Sequence, residues 1–291
     1  MIVVRTVNEL REHHQKARGM ATGFVPTMGY LHKGHQALIK QASTECDFVV
    51  SSIFVNPLQF GEGEDYSTYP RNEQRDIELA NEAGADLLFI PNVNEMYKEP
   101  MSSLITVKKG ADSLCGKSRP GHFDGVLTVV MKLFWMVMPN KAYFGIKDAQ
   151  QVALLETMVK DYHIPVDIIR VPTVREEDGL AKSSRNVNLT QEERLKASHI
   201  HGALNKAVKH ARSFTNAPAE VVSECVREIN ELTSGEVDYV ELRSFPSLEK
   251  IQSLDDMKNT REVIIACAVR FSKARLIDNL IFTTNDLEEK K

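Results

Sequence analysis

The chain is poor in the features that would place it outside ordinary globular enzymes. Its 291 residues include one tryptophan, Trp135, and four cysteines, Cys46, Cys115, Cys225 and Cys267. The cysteines share no metal-type spacing, so neither a disulfide framework nor a thiolate zinc site is expected, and each reads as a small buried apolar residue. Long hydrophobic runs are missing too. The longest, Val126–Met138, is interrupted by Lys132 and is too short for about 30 Å of hydrocarbon, so no membrane association is expected. No sign of charge dominates: the net charge is −4, which argues against nucleic acid or an anionic membrane as a partner. The opening MIVVRTVNELREHH runs straight into charged, helix-like sequence with no secretory pattern, and a cytoplasmic location is the expectation. Repeats and low-complexity tracts are absent, and the terminal LEEKK is expected to be solvated.

What is present alternates. Strand-like runs at Ile2–Arg5, Gly23–Val25, Phe48–Phe54, Leu87–Ile90, Ile105–Val107, Ala142–Phe144 and Val166–Val171 are separated by helical patterns near Asn8–Ala17, His35–Thr44, Glu73–Ala83, Val126–Val137 and Ala149–Tyr162. Runs such as FVVSSIFV and DLLFIP are apolar throughout, as suits strands covered on both faces. The alternation predicts an α/β fold with a doubly wound, parallel, Rossmann-like sheet over residues 1–173, with ligands at the carboxyl ends of its strands. Trp135, inside an apolar helix, is expected to pack. After Thr173 the texture shifts to a long helix over Gln191–Ser213, with a capping box at Thr190 and Glu193, and a second helix after Pro218. Three strands follow: Val237–Leu242, Val263–Val269 and Leu276–Phe282. This predicts a smaller α+β domain over 174–291, with its boundary near Pro172–Arg175.

The most informative stretch is Pro26-Thr27-Met28-Gly29-Tyr30-Leu31-His32-Lys33-Gly34-His35, between a strand and a helix. Two histidines three apart at a helix start share one face. Gly34 removes a side chain between them, and the helix N-terminus adds unpaired N–H groups and positive dipole, a combination suited to phosphate. Zinc is a poor alternative for two histidines without an evident third ligand. Further on, Lys182-Ser183-Ser184-Arg185-Asn186 combines two cations with two hydroxyls, which suits the charge that develops on departing pyrophosphate. Asp148 could cap the helix starting at Ala149. By residues alone, transfer of a nucleotide onto any acceptor, or a nucleotide-binding regulator, remains open.

The H-x-G-H loop after a core strand resembles the nucleotidylyltransferase superfamily. The ordered set PTMGYLHKGH, SIFVNPLQF, YPR, RPGHFDGV, FGIKDAQQ and VPTVREEDGLAKSSRN is similar to the pantoate–β-alanine ligase family over residues 2–282. The resemblance implies ATP-dependent ligation of pantoate to β-alanine through a pantoyl-adenylate, with Mg²⁺, in a homodimer. It places Met28, Gly29, Tyr30, Leu31, His32, Lys33, Gly34 and His35 on the ATP phosphates, with His35 as general acid or transition-state stabiliser and His32, Lys147 and Arg185 also catalytic. It adds Gly145, Ile146, Lys147, Asp148, Val174, Lys182, Ser183, Ser184 and Arg185 to the nucleotide site. Gln59 and Gln151 are implied for pantoate, Gln59 and His122 for β-alanine, with Arg119 and Asn56 nearby. Asp76 is implied near Mg²⁺. Ile146 departs from the family, which usually has a polar residue there, so an altered nucleotide fit is expected. The C-terminal domain and the KSSRN loop are expected to cover the adenylate against water.

Overall fold

The computed structural model describes residues 1–99 and 101–284, so LEEKK lies outside the described residues. The first half alternates as its pattern predicts: β1 (Ile2–Val4), α1 (Val7–Lys16), β2 (Thr22–Thr27), α2 (Lys33–Glu45), β3 (Phe48–Ile53), α3 (Glu73–Glu82), β4 (Leu87–Phe89), α4 (Val93–Met96), α5 (Leu114–Ser118), α6 (His122–Val137), β5 (Lys141–Gly145), α7 (Ala149–Asp161) and β6 (Asp167–Val171). The second half adds α8 (Gln191–Ala197), α9 (His199–Arg212), α10 (Pro218–Leu232), β7 (Glu236–Ser244), α11 (Leu254–Asn259), β8 (Glu262–Arg270) and β9 (Arg275–Thr283). No helix among the described residues is long and apolar enough to cross a membrane.

The six N-terminal strands form one parallel sheet in the order β1-β4-β3-β2-β5-β6. Phe24, Val25, Leu87, Leu88 and Phe89 are fully buried in it, which is why these runs carry no polar alternation. The chain moves outward from β2 through β3 to β4, then returns to β5 on the other side of β2. This reversal creates a switch point where the loops after β2 and β5 diverge, the place where such sheets take ligands. The smaller sheet is antiparallel, β7-β8-β9, and packs with α9 and α10 around a separate core that includes Leu204, Ile229 and Ile265.

The chain divides into one unit of residues 1–111, 119–146 and 154–174, and a second of 112–118, 147–153 and 175 onward. Hydrogen bonds show why two short segments go with the second unit. Gln150 donates to the Ser113 carbonyl at 2.8 Å and accepts from the Gly116 N–H at 3.3 Å. Asn279 donates to the Lys147 carbonyl at 2.8 Å.

Several expectations need correction. Ile105–Val107 is no strand, because its donors go to side chains of α6: Ile105 N–H to Thr128 Oγ1 at 3.1 Å and Val107 N–H to Asp124 Oδ1 at 2.8 Å. α6 starts at His122, one turn before the apolar run begins. The helix expected over 191–213 is two helices parted at Ser198, whose hydroxyl bonds back to the Leu195 carbonyl at 2.8 Å, a local competitor of helical pairing. Trp135 does not pack: it is 68% exposed while Leu133, Phe134 and Val137 take the buried face. Cys225 and Cys267 are buried as expected, but Cys46 and Cys115 are half-buried and meet phenols, Tyr143 at 3.3 Å and Tyr239 at 3.2 Å.

Candidate active site

The loop after β2 is held from below by one carboxylate. Gly29 and Tyr30 both adopt left-handed backbone, at φ 84° and 50°. The turn so formed aims two N–H groups at Asp76 of α3: Tyr30 to Oδ2 at 2.7 Å and Leu31 to Oδ1 at 2.6 Å. Asp76 is 1% exposed, and burial pushes its carboxyl above the usual range even though these two bonds pull it down. The guanidinium of Arg75 donates to the Leu31 carbonyl at 2.9 Å and lies over the Tyr30 ring. Asp76 therefore braces the loop with both of its oxygens.

The two histidines build the start of α2. His32 is the N-cap, its Nδ1 accepting from the Gly34 N–H at 3.1 Å, and His35 Nδ1 accepts from the His32 N–H at 3.3 Å. This is a capping box made of imidazoles where hydroxyl and carboxylate are usual. A Cβ on residue 34 would stand 2.7 Å from His32 Cε1, so the glycine makes room for the ring. The rings stack at 4.1 Å between centroids. Because each Nδ1 accepts a backbone N–H, it carries no proton, and both neutral rings bear theirs on Nε2. The motif thus presents imidazole donors on ε nitrogens whose orientation the helix cap sets.

A second cluster surrounds Gln59, in the one-turn helix Pro57–Gln59 after β3. Its Nε2 donates to the Met28 sulfur at 2.9 Å, joining this cluster to the loop after β2. Asn56 Nδ2 donates to Gln59 Oε1 at 3.2 Å and to the Gly125 carbonyl at 3.1 Å. Gly125 permits a close approach of α6, since a Cβ there would lie 2.2 Å from the Leu58 oxygen. His122 Nδ1 lies 2.7 Å from the Gln59 carbonyl, which can only accept, so the ring proton is on Nδ1 and Nε2 accepts from Arg119 at 2.9 Å. Arg119 also donates to the Gln59 carbonyl at 3.3 Å and grips Glu64 with Nε and an Nη at 2.7 and 2.6 Å. The Arg119 hydrogen bond, ahead of its charge, holds the Glu64 carboxyl below the ordinary range. His122 and Arg119, expected at the amine site, here fix the backbone of Gln59.

Gly145 ends β5 and Ile146, half-buried, starts the turn Ile146–Asp148; Val174, also half-buried, follows β6. In the second unit, Lys147 and Ser183 line a small crevice with Ala181, Asn186 and Asp278. Lys147 Nζ lies 4.0 Å from Asp148, and Lys182 pairs with Glu176. Ser183 Oγ accepts from the Arg185 N–H at 3.2 Å, capping the short turn Ser184–Asn188. Arg175 underpins this segment by bonds to both oxygens of Asp278 at 2.7 and 2.9 Å. Gln151 lies half-buried in the first turn of α7.

A family model described as Pantoate-beta-alanine ligase matches residues 2–281. The chain belongs to the pantoate–β-alanine ligase family. Relatives called pantothenate synthetase include one from Bacillus pumilus, 51% identical over 100% of this chain and 99% of that one. Among solved structures, pantothenate synthetase from Thermus thermophilus is 44% identical with a TM-score of 0.88, covering 96% of this chain and 99% of its own. Pantoate-beta-alanine ligase from Francisella tularensis, complexed with beta-gamma ATP and β-alanine, is 37% identical with a TM-score of 0.79 over 97% of each chain.

The family motifs contain Asn56, Arg119 and Gly125, but the sequence does not show what these residues hold. Tyr97, Glu64 and the bracing use of Asp76 carry no signal in the sequence. Tyr97 donates to Asn56 Oδ1 at 2.7 Å from 41 positions away, with no local pattern to flag it.

Proposed function

We propose that the protein condenses pantoate with β-alanine at the expense of ATP, through a pantoyl-adenylate, releasing AMP and pyrophosphate. The observation that carries this reading is the contact of the Gln59 amide with Met28, on the loop whose histidines hold their protons on Nε2. One cluster thereby offers donors for phosphate and a donor for a hydroxy acid.

In the first step a pantoate carboxylate oxygen attacks the α-phosphorus, and the bond to pyrophosphate breaks with its electron pair. Catalysis here is positioning and charge stabilisation. His32 and His35 donate Nε2–H to phosphate oxygens, each charge-assisted bond being worth about 1.5–3 kcal/mol. His35 stabilises the transition state as a donor, since a proton on its Nδ1 would break the α2 cap. Tyr30, Leu31, His32 and Gly34 spend their own N–H groups on Asp76 and the helix cap. The loop from Met28 to Gly34 therefore serves the phosphates by holding the two imidazole donors in place, with the Lys33 charge beside them. Lys147, Lys182 and Arg185, with the hydroxyls of Ser183 and Ser184, neutralise the leaving pyrophosphate. Gly145, Ile146 and Asp148 hold the nucleoside, and the Val174 backbone meets the base. Gln59 and Gln151 orient pantoate. In the second step the uncharged amine of β-alanine attacks the acyl carbon, the bond to AMP breaks, and the amine proton passes to solvent. Gln59 serves β-alanine as well, and His122 acts through the Gln59 carbonyl that it holds.

Mg²⁺ belongs in this reading with the phosphates of ATP. No group of three or more His, Cys, Asp or Glu that could hold a metal occurs among the described residues, and Asp76 spends both oxygens on backbone N–H groups. The residues do not fit a protein cage, whereas Mg²⁺ commonly rides on substrate phosphates. We further propose a cytoplasmic homodimer. The test is exchange of labelled pyrophosphate into ATP. Exchange should require pantoate, with AMP released only when β-alanine is added; absence of pantoate-dependent exchange would refute the reading.

A further inference from the structure

Gln59 could in principle face a ligand with either end of its carboxamide, and the surrounding hydrogen bonds decide which. Asn56 Oδ1 accepts from the Leu58 N–H at 3.3 Å, and Asn56 Nδ2 donates to the Gly125 carbonyl at 3.1 Å. A backbone N–H can only donate and a carbonyl can only accept, so the orientation of Asn56 is set by the main chain. The second proton of Asn56 Nδ2 needs an acceptor, and it meets Gln59 Oε1 at 3.2 Å. Gln59 is left with its NH₂ turned toward the Met28 sulfur, a weak acceptor that an oxygen would readily replace. Tyr97 completes the chain with a 2.7 Å bond into Asn56 Oδ1, and burial pushes its phenol far up, keeping it a donor. Asn56 is 1% and Gln59 7% exposed, so water contributes little to their orientation.

We infer that Tyr97 and Asn56 are positioning residues that lock Gln59 as a donor, so that its subsite takes a carboxylate or hydroxyl oxygen and turns away a ligand presenting N–H. This rests on the proposed hydroxy-acid substrate and adds the polarity of its recognition. An ammonium is refused at that point, while a carboxylate or hydroxyl oxygen is accepted.

Tyr97→Phe removes the phenol while keeping the ring that packs against Phe54 at 6.0 Å between centroids. The KM for pantoate should rise about three- to tenfold, the worth of one neutral hydrogen bond, with kcat and the KM for ATP within about twofold of wild type. In a Gln59→Ala background the same change should add nothing, because its effect passes through Gln59. Multiplying effects, or a fall in kcat at constant KM, would overturn the inference. A substrate-free measurement separates this from the fate of the proposed reaction. The side-chain NH₂ resonance of Gln59, identified by its loss in Gln59→Glu, should shift in Tyr97→Phe. An unshifted resonance refutes the relay even if wild-type enzyme fails to exchange pyrophosphate with pantoate; a shifted one upholds the relay in either case.

Discussion

Single residues in this protein carry two duties at once, and the two histidines are the clearest instance. His32 and His35 cap α2 through Nδ1 and thereby commit their protons to Nε2. Beneath them, Asp76 turns two N–H groups of a left-handed turn into a fixed support. In Asp76→Asn the amide can accept only one of these bonds and sets an NH₂ against the other N–H. The expected loss is about 1–3 kcal/mol, or roughly five- to 150-fold in kcat/KM for ATP. The effect should carry a pH signature. Burial raises the Asp76 carboxyl above its ordinary 3.8, so acid protonates it early and replaces an acceptor with an O–H. Wild-type kcat/KM for ATP should therefore fall on the acid side with an added limb that Asp76→Asn lacks; identical profiles would exclude the support role.

Elements show where local signals suffice. The capping box of α8 was legible in the sequence, Thr190 followed three residues later by Glu193, and both reciprocal bonds form, at 3.2 and 2.9 Å. What the pattern could not reveal is that the other oxygen of Glu193 accepts from the Ser272 N–H at 2.8 Å, tying the helix start to the loop before β9. These backbone bonds depress the Glu193 carboxyl to about 2, from 4.5. A depressed carboxyl adds stability above its unfolded value and loses it as pH falls through the folded one. Thermal stability of wild type should accordingly drop between about pH 4.5 and 2 more steeply than that of Glu193→Gln, as scanning calorimetry would measure; parallel curves would contradict it. The false strand at Ile105–Val107 is the converse case. Its β-branched residues fit an extended chain, but Thr128 and Asp124 satisfy its donors and no strand pairs with it.

At the scale of the whole molecule, the order β1-β4-β3-β2-β5-β6 makes the end of β2 a natural place for a ligand. We propose that the C-terminal domain, placed by the sequence at 174–291, and the KSSRN loop exclude water from the adenylate in a homodimer. Light scattering should give twice the 32.8 kDa of one chain, and small-angle scattering should change when ATP is added. A monomer mass would refute the dimer, and an unchanged profile the cover.

The sequence by itself determined the alternation of strands and helices, the loop after β2 and the family to which the chain belongs. These depend on periodicity, capping and motif order, which are written locally along the chain. Only the tertiary structure decided what the motif residues hold. The tautomers of His32 and His35 follow from backbone groups in the folded cap, and the polarity of Gln59 from Tyr97, Asn56 and Gly125, which the fold brings together. Hydrogen-bond direction depends on which donor meets which acceptor across the fold, and residue spacing carries no record of it.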